Sequence, residues 1–296
     1  MDCIKFMGKE FMTKKKVIAI AGPTASGKTK LAVEMAKELD GEIISADSRL
    51  IYKGFNIATA KPTIEERQGI PHFLIDIVEP EADYSVADFK HEAEQRISEI
   101  TKRGHIPIVA GGTGLYFRIL LENYALPKIE CKPGLRAELE KETNEDLFRE
   151  LQEKDPEYAK KTHPNNKIRL VRVLEVIRTL NVPFSQACGL KEPEYDVQWI
   201  FPKIESREVL YDRINERVDE MIKNGVIDET KYLLKKHGRI KNLTGTIGYK
   251  EIIEYLDGLC SLEEAIDKLK RNTRHYAKRQ LTWFRRTPEL GDGVNI

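Results

Sequence analysis

The sequence contains few residues that could form disulfides or hold a transition metal. Its four cysteines are far apart, with no C-x-x-C pair, and its six histidines form neither an H-x3-H nor an H-E-x-x-H pattern. Scattered cysteines are typical of proteins in a reducing compartment, so we expect a cytoplasmic protein. The same absence argues against a transition metal bound by side chains of this chain. The cysteines are Cys3, Cys131, Cys188 and Cys260.

Long apolar runs and a strong net charge are also missing. No run approaches the roughly 20 apolar residues of a membrane-spanning helix, so we expect no membrane association. The net charge of +1 means that any nucleic-acid binding would depend on local basic patches. The opening residues 1–16 contain Met1, Met7 and Met12 but lack the apolar centre of a signal peptide. We interpret them as a disordered leader, and its first 11 residues could precede a true start at Met12.

A phosphate-binding loop is the clearest feature that the sequence does contain. The motif G-x-x-x-x-G-K-[ST] is filled completely, directly after the apolar run at 17–21 and before an amphipathic helix. In such a loop the backbone N–H groups and the helix N-terminus converge on an anion, the lysine adds a cation, and the final hydroxyl can bind Mg²⁺. We therefore predict a di- or triphosphate site with Thr29 as metal ligand; a glycine-rich turn that binds nothing is the alternative. The loop residues are Gly22, Pro23, Thr24, Ala25, Ser26, Gly27, Lys28 and Thr29.

Strand and helix patterns alternate through most of the chain. Continuous apolar strands between helices predict an α/β fold, a P-loop NTPase-like parallel sheet flanked by helices. Between 128 and 191 charged helical sequence with several prolines replaces the strand pattern, which predicts an all-helical insertion domain. We therefore divide the chain into a catalytic core of 13–127 plus 192–296 and an insertion of 128–191. The predicted strands are 17–21, 42–45, 73–77, 106–110 and 197–201, and the main helices of the core after the loop helix are 86–103, 206–223, 227–236 and 261–284.

Three further groups of residues bear on the chemistry. Asp47 follows the second strand, at the sheet edge where open α/β sheets bind ligands; it could be a general base, support a magnesium ion, or cap a turn. Thr113, within the segment 111–116 after another strand, could hold a phosphate or cap a helix. The segment 268–286 carries eight Lys or Arg residues and no acid, with aromatic residues between them. Such a helix is either a solvated basic face or a surface for nucleic acid.

Taken together, these motifs resemble those of the tRNA dimethylallyltransferases, also called tRNA isopentenyltransferases or IPP transferases. The resemblance covers about residues 16–286, nearly the whole chain. It depends on many short motifs in a fixed order, so it is far more specific than a phosphate loop alone. The motifs after the loop are Asp47-Ser48 with Tyr52, Ala58-Thr59-Ala60-Lys61-Pro62, Pro71-His72, Ile75-Asp76-Ile77, Tyr84-Ser85 with Asp88-Phe89, the turn at 111–116, His163-Pro164-Asn165 with Arg169 and Arg172, Gly248-Tyr249, and 276–284.

The resemblance implies a prenyl transfer. A dimethylallyl group would pass from dimethylallyl diphosphate to N6 of adenosine 37, just 3′ of the anticodon, in tRNAs that read codons beginning with U. The implied cofactor is Mg²⁺, and the implied partners are dimethylallyl diphosphate and the tRNA anticodon stem-loop, bound by a monomer without an obligate protein partner. By the same resemblance Lys28 and Arg217 would stabilise the diphosphate, Asp47 would accept the proton of the attacking amine, and Thr113 would place both reactants.

The resemblance also assigns RNA contacts. The insertion would grip the anticodon stem-loop, and the basic helix would lie near its phosphates. The implied contacts are Asp47, Ser48, Arg49, Leu50, Thr113, Arg136, Ile168, Arg169, Leu170, Val171, Arg172, Gly245, Thr246, Ile247, Gly248, Tyr249 and Lys250.

Three other functions remain open on the sequence alone. A small-molecule kinase would use ATP at the same loop, and an adenylate isopentenyltransferase would prenylate a free nucleotide. A phosphate-gated binding protein without transfer chemistry would need an acidic magnesium motif, for which Ile75-Asp76 is the candidate. The basic terminal helix, together with Arg169 and Arg172, favours tRNA as the acceptor.

Overall fold

The chain forms two compact units. A computed structural model describes residues 14–127, 134–287 and 290. The first unit combines the segments up to Leu120 and from Glu194 onward, and the second is Leu121–Pro193. The second unit therefore begins before, and ends after, the predicted insertion of 128–191. Residues 1–13 of the predicted leader of 1–16, and with them Cys3, lie outside the described residues, as do Cys131 and the start of the predicted insertion at 128–133. The prediction of a disordered leader is wrong at its end, because Lys15 and Lys16 begin the first strand of the sheet.

A five-stranded parallel sheet forms the centre of the first unit, in the order β3 (His72–Phe73), β2 (Gly41–Ser45), β4 (Ile106–Gly111), β1 (Lys15–Ala21) and β7 (Tyr195–Ile200). The prediction of a parallel sheet flanked by helices is confirmed. Strand β1 lies between β4 and β7, pairing Ile18 with Ile108 on one side and Gln198 on the other. The strands are β1 Lys15–Ala21, β2 Gly41–Ser45, β3 His72–Phe73, β4 Ile106–Gly111, β5 Tyr124–Ala125, β6 Gly189–Leu190 and β7 Tyr195–Ile200.

Helices cover the sheet and make up most of the second unit. In the first unit α1 packs its buried face, including Val33, against the apolar side chains of Ile18, Ile20 and Ile108. Long helices predicted from the sequence are present within a few residues of their predicted bounds. The helices are α1 Lys28–Leu39, α2 Ile64–Arg67, α3 Val86–Lys102, α4 Gly114–Leu120, α5 Leu135–Lys141, α6 Asn144–Lys154, α7 Pro156–Ala159, α8 Lys167–Leu180, α9 Phe184–Ala187, α10 Arg207–Lys223, α11 Val226–His237, α12 Lys241–Thr244, α13 Tyr249–Leu256 and α14 Leu262–Phe284.

The third strand is much shorter than the predicted strand of 73–77. It consists of His72 and Phe73 alone, because the backbone of Leu74 and Asp76 has positive φ values of 59° and 55°. A left-handed residue cannot continue a strand. The Asp76 carboxylate instead forms an ion pair with the buried Lys61 ammonium. The strand prediction is therefore wrong beyond Phe73.

The second unit is helical except for one short strand pair. Helix α8 packs against α5 and α6, and its apolar side chains form the core of the unit. The Arg178 guanidinium of α8 joins Glu142 and Glu150 at 3.0 and 2.5 Å. Strands β5 and β6 pair antiparallel, which brings Tyr124 opposite Leu190. The prediction of an insertion without strands is thus wrong at Gly189–Leu190.

Two strand ends of the first unit approach too closely for any side chain between them. A methyl group at Gly111, the last residue of β4, would lie 2.2 Å from the carbonyl oxygen of Ala46, just after β2. The Ala46 N–H donates to the Ala110 carbonyl at 2.8 Å, and the Thr113 N–H donates to the Ala46 carbonyl at 3.1 Å. These bonds hold the two strand ends in fixed register where a ligand would bind.

We therefore expect Gly111→Ala to lower the free energy of unfolding by about 1–3 kcal/mol, because the new methyl group must push backbone atoms apart. Gly189→Ala is the matched control, since a methyl group there has no neighbour within 4 Å. It should change stability by less than about 0.5 kcal/mol. Urea unfolding followed by circular dichroism measures both. Equal stability of the two variants would contradict the close approach.

Candidate active site

A groove at the carboxyl edge of the sheet brings together most of the residues predicted for the first unit's site. Its volume is about 410 Å³, and the loops after β1, β2 and β4 contribute to its wall together with α10 and α14. This is the edge at which open α/β sheets bind their ligands. Predicted site residues that line it are Thr24, Lys28, Thr29, Asp47, Ser48, Arg49, Leu50, Arg217, Gly245, Thr246 and Ile247.

The phosphate loop has the backbone expected of an anion site. Ala25 and Gly27 adopt positive φ values of 60° and 85°, and α1 begins at Lys28 directly behind them. The Lys28 ammonium folds back to donate to the Pro23 carbonyl. Burial, together with the nearby Arg217 charge, lowers the pKa of Lys28 to about 7, while Asp47 opposes the shift. An anion in the loop would relieve this desolvation.

Arg217 is a second buried cation that lines the groove. It lies on α10 and donates from Nη1 to the Thr24 hydroxyl at 3.3 Å. Burial lowers the pKa of Arg217, partly opposed by the acidic residues around it. Two cations that have lost much of their hydration beside one loop are a site for a polyanion.

Two serine hydroxyls at the loop lack partners. Within the described part of the chain, the buried Oγ atoms of Ser26 and Ser45 make no hydrogen bond. Buried hydroxyls are nearly always hydrogen-bonded in native proteins. Because Ser26 belongs to the phosphate loop and Ser45 lines the groove, a bound ligand is the natural partner for both.

Asp47 combines the two interpretations that the sequence left open. Its Oδ1 atom accepts a hydrogen bond from the Arg49 N–H at 2.8 Å, which is the bond of a turn residue. The same side chain lines the groove, and its charge raises the pKa of Tyr276 after the larger effect of burial. One carboxylate has two oxygens, so a role in the turn leaves an oxygen for proton transfer.

Thr113 connects the turn after β4 to the Asp47 segment. Its hydroxyl oxygen accepts a hydrogen bond from the Ser48 N–H at 3.1 Å. The same hydroxyl donates to the Ser48 hydroxyl at 3.5 Å. The side chain is therefore held against the segment that carries Asp47, and its positioning role stays a prediction.

Gln280 is a site residue that the sequence did not identify as one. It lies on α14 and is 6% exposed. Its Oε1 atom accepts from the Thr24 N–H and its Nε2 atom donates to the Gly112 carbonyl, both at 2.9 Å. A signal was present, because this glutamine stands on the apolar stripe formed by Ala277, Leu281 and Phe284. A polar residue on a buried stripe needs buried partners.

Glu229 of α11 binds the backbone next to Ala58, which lines the groove, and the sequence did not single it out either. Its carboxylate accepts from the N–H groups of Ile57 and Ala58 at 2.9 and 3.3 Å, and from the Tyr249 hydroxyl at 2.6 Å. Tyr249 is 0% exposed, so an RNA contact at this position would involve its backbone, and that contact stays a prediction. Gly248 lies against Ala58, where a methyl group would approach to 2.7 Å.

The predicted RNA residues of the second unit divide between surface and core. Ile168 is 79% exposed, whereas Leu170 and Val171 are 0% and 1% exposed in the core of that unit. Successive helical residues point in different directions, so a contiguous run cannot all face one ligand. The buried side chains of Leu170 and Val171 do not reach the surface, and the RNA contacts of this segment stay predictions. Arg169 donates to the Tyr158 hydroxyl at 2.7 Å and lies over its ring.

Arg136 and Arg172 meet at one buried carboxylate. The Glu175 Oε2 atom lies 2.6 Å from Arg172 Nη1 and 4.0 Å from Arg136 Nη1. Arg136 also contacts Glu140 at 3.0 Å. Both guanidinium groups are partly exposed, so they remain accessible to a phosphate, and their RNA contacts stay predictions.

The basic helix α14 is partly neutralised by neighbouring helices. Lys268 pairs with Glu254, and Lys270 pairs with Asp219 at 2.7 Å. Further along the helix Lys278 is exposed. The run of cations is therefore neither wholly solvated nor wholly available to RNA.

Residues 14–127, 134–287 and 290 contain neither a membrane-spanning helix nor a cluster of metal-binding side chains. No helix among them is both long and apolar enough to cross a membrane. No group of three or more His, Cys, Asp or Glu side chains in the same ranges could hold a metal ion.

Comparison with known proteins gives a consistent family match. The IPP transferase family model matches residues 50–287. The tRNA dimethylallyltransferase of Bacillus licheniformis is 48% identical over 279 residues, which cover 92% of this chain and 88% of the relative. The crystal structure of the tRNA isopentenylpyrophosphate transferase of Bacillus halodurans aligns with a TM-score of 0.69 and 45% identity, covering 93% and 88% of the two chains. A eukaryotic dimethylallyltransferase acting on tRNA aligns with a TM-score of 0.81 and 31% identity, covering 91% and 70%.

The lowered pKa of Lys28 predicts proton uptake when an anion binds. At pH 8 most of this lysine is neutral, since its pKa is about 7. A bound diphosphate favours the charged ammonium, so binding should take up as much as about one proton there. Calorimetric titration with inorganic diphosphate in buffers of different ionisation enthalpy measures the uptake.

Lys28→Met should lose this proton uptake, and the difference between variant and wild type removes the contribution of the diphosphate itself. Lys30→Met is the control, because Lys30 lies on the exposed side of α1 with its side chain 83% accessible. Equal uptake by wild type and Lys28→Met would show that another group takes the proton.

Proposed function

The chain belongs to the IPP transferase family, and on this basis we propose that it transfers a dimethylallyl group from dimethylallyl diphosphate to N6 of the adenosine 3′ of the anticodon in tRNA. The products are N6-(dimethylallyl)adenosine and diphosphate. The observation that carries the proposal is one groove in which two desolvated cations, Lys28 and Arg217, lie beside the Asp47 carboxylate. The two cations would stabilise the diphosphate leaving group, and the carboxylate would accept a proton from the attacking amine.

The proposed transfer uses these charges at the atoms where the reaction changes them. The allylic C–O bond breaks and its electron pair leaves with the diphosphate, while N6 forms a bond to the same carbon. Lys28, Arg217 and the loop N–H groups stabilise the negative charge that grows on the diphosphate. The N6 proton passes to Asp47, a form of catalysis that typically contributes about 10²–10⁴-fold in rate.

The residues present fit a magnesium ion bound together with the diphosphate. Thr29 follows Lys28 in the loop, lines the groove and carries a hydroxyl that could bind the ion. Mg²⁺ prefers oxygen ligands, and several of these usually come from substrate phosphates and water. A cluster of acidic side chains is therefore not required. When bound, the ion would supply positive charge to the diphosphate oxygens, while Thr29 would hold it at the start of α1.

The proposed acceptor is the anticodon stem-loop. Sequence-specific recognition of RNA usually targets single-stranded loops, and a loop base can leave its stack at a cost of about a few kcal/mol. The exposed cations of the second unit, Arg136, Arg169 and Arg172, are the proposed contacts for its backbone. The proposal includes a monomer in the cytoplasm, in keeping with the scattered cysteines.

Mass spectrometry of the reaction products tests the proposal directly. Unmodified tRNA incubated with the protein, dimethylallyl diphosphate and Mg²⁺ should gain one dimethylallyl group at the adenosine 3′ of the anticodon. Parallel reactions with adenosine monophosphate as acceptor, and with ATP in place of the donor, separate the free-nucleotide transferase and the kinase. Prenylated nucleotide without prenylated tRNA would overturn the choice of acceptor.

The proposed base role of Asp47 predicts a large rate effect with little loss of binding. Asp47→Asn keeps size and can still accept the Arg49 N–H, but an amide cannot accept the amine proton. We expect single-turnover transfer to fall by about 10²-fold or more, with tRNA affinity largely retained. As a turn residue alone, the same change would cost under about 2 kcal/mol of stability and leave the rate near wild type.

Single-turnover transfer and thermal melting are measured on the same preparations. Asp228→Asn on α11 is the isosteric control, because this side chain is 85% exposed. A stable Asp47→Asn variant with near-wild-type transfer would remove Asp47 from the mechanism.

The pairing of the basic helix predicts which of its cations act on RNA. The exposed Lys278 should release counterions from RNA phosphates, so Lys278→Ala should weaken binding of all tRNAs similarly. It should also reduce the slope of log affinity against log salt by about one unit or less. Lys268→Ala is the control, since this lysine already pairs with Glu254. Unchanged slopes for both variants would make α14 a solvated face.

A further inference from the structure

Gln280 joins two loops of the groove that are far apart in the sequence. Its amide oxygen binds the Thr24 N–H of the phosphate loop, and its amide nitrogen binds the Gly112 carbonyl, each at 2.9 Å. The side chain is buried, so neither bond competes with bulk water. One planar group therefore contacts both the loop for the leaving group and the turn that carries Thr113.

The turn of 111–114 is packed so tightly that it follows the position of α14. A methyl group at Gly112 would lie 2.2 Å from Gln280 Nε2, and one at Gly114 would lie 2.0 Å from the Trp283 ring. From the other side, hydrogen bonds from Thr113 to Ala46 and from Ser48 to Thr113 fix the turn to the Asp47 segment. A displacement of the Gln280 side-chain amide on α14 would therefore also displace Thr113.

We propose that Gln280 is a positioning residue that sets the spacing between the phosphate loop and the Thr113 turn. This inference rests on the proposed function. The phosphate loop binds the leaving group. The Thr113 turn is hydrogen-bonded to the segment that carries Asp47, where the amine is deprotonated. Their spacing therefore fixes the distance between the allylic carbon and N6. Gln280 also lines the groove, but its amide oxygen and amide nitrogen are both bonded to the two loops, so it acts through the loop backbone.

The chemistry of the amide is specific to this role. Thr24 requires an acceptor and Gly112 requires a donor, and a carboxamide supplies both from one rigid plane. Leucine supplies neither. A glutamate supplies only acceptors when ionised, but a protonated glutamic acid again has one acceptor and one donor. The variants of this one residue therefore separate the two bonds.

The first experiment compares transfer with anion binding in Gln280→Leu. Misplacement of reacting groups by about 1 Å can cost about 10²-fold in rate. We expect single-turnover transfer at saturating substrates to fall by about that factor. The rates are measured well below the melting temperature of the variant. The affinity for inorganic diphosphate, measured by calorimetry, should change by less than about threefold, because the ligands of the anion remain. Gln95→Leu, at an exposed position of α3, is the matched control.

The second experiment uses the pH dependence of Gln280→Glu. At high pH the ionised carboxylate faces the Gly112 carbonyl and transfer should be poor. As the pH is lowered, protonation restores a donor, so the rate relative to wild type should rise. The ratio of the variant rate to the wild-type rate at each pH cancels titrations that both proteins share. For the control Gln95→Glu this ratio should not change with pH. This arm also applies if Gln280→Leu does not fold.

Several outcomes would overturn the proposal. Transfer by Gln280→Leu within about threefold of wild type would exclude a positioning role. A rate loss matched by an equal loss of diphosphate affinity would make Gln280 a binding residue, and a flat pH ratio for Gln280→Glu would exclude the donor bond. Failure of wild type to prenylate tRNA would instead overturn the proposed function, and this inference with it.

Discussion

Two cations kept partly out of water beside one loop are the constraint on which the site depends. Lys28 and Arg217 both have lowered pKa values because burial disfavours their charged forms. Such a pair is unfavourable in the free protein unless something anionic offsets it. Asp47 offsets part of this positive charge. Within the described residues, the buried hydroxyls of Ser26 and Ser45 have no hydrogen-bond partner, so an oxygen-rich ligand would bond to them as well. The groove is therefore built for a state in which a polyanion is bound.

A site of this kind requires loops that hold still when the ligand leaves. The structure achieves this by close approach at glycines. Gly111 lies against the backbone of Ala46, and Gly112 and Gly114 lie against the side chains of Gln280 and Trp283, at distances that exclude a methyl group. Glu229 likewise fixes the backbone at Ile57 and Ala58 by binding two N–H groups at once. Both devices fix main-chain geometry, which is what places N–H donors and carboxylates for chemistry.

Sequence reasoning predicted the parts that local patterns encode and missed those that depend on distant partners. The strands around Ile20 and Ile108 are continuous apolar runs, and the phosphate loop is a contiguous motif, so both were predictable. The predicted strand past Phe73 failed because Asp76 turns toward Lys61, a partner that no periodicity reveals. Gln280 was missed for a similar reason, since its hydrogen-bond partners lie 256 and 168 residues away in the chain.

Cations proposed to contact RNA are already paired with acidic residues, in keeping with a net charge close to zero. Arg136 and Arg172 already share Glu175, and Lys268 and Lys270 already pair with acids of neighbouring helices. A phosphate that binds such a residue must share it with, or displace, a carboxylate, so each contact contributes less than it would on a bare basic surface. Non-specific attraction to nucleic acid is thereby weakened. Discrimination among RNAs then has to come from the shape of the bound loop and from the base that enters the groove.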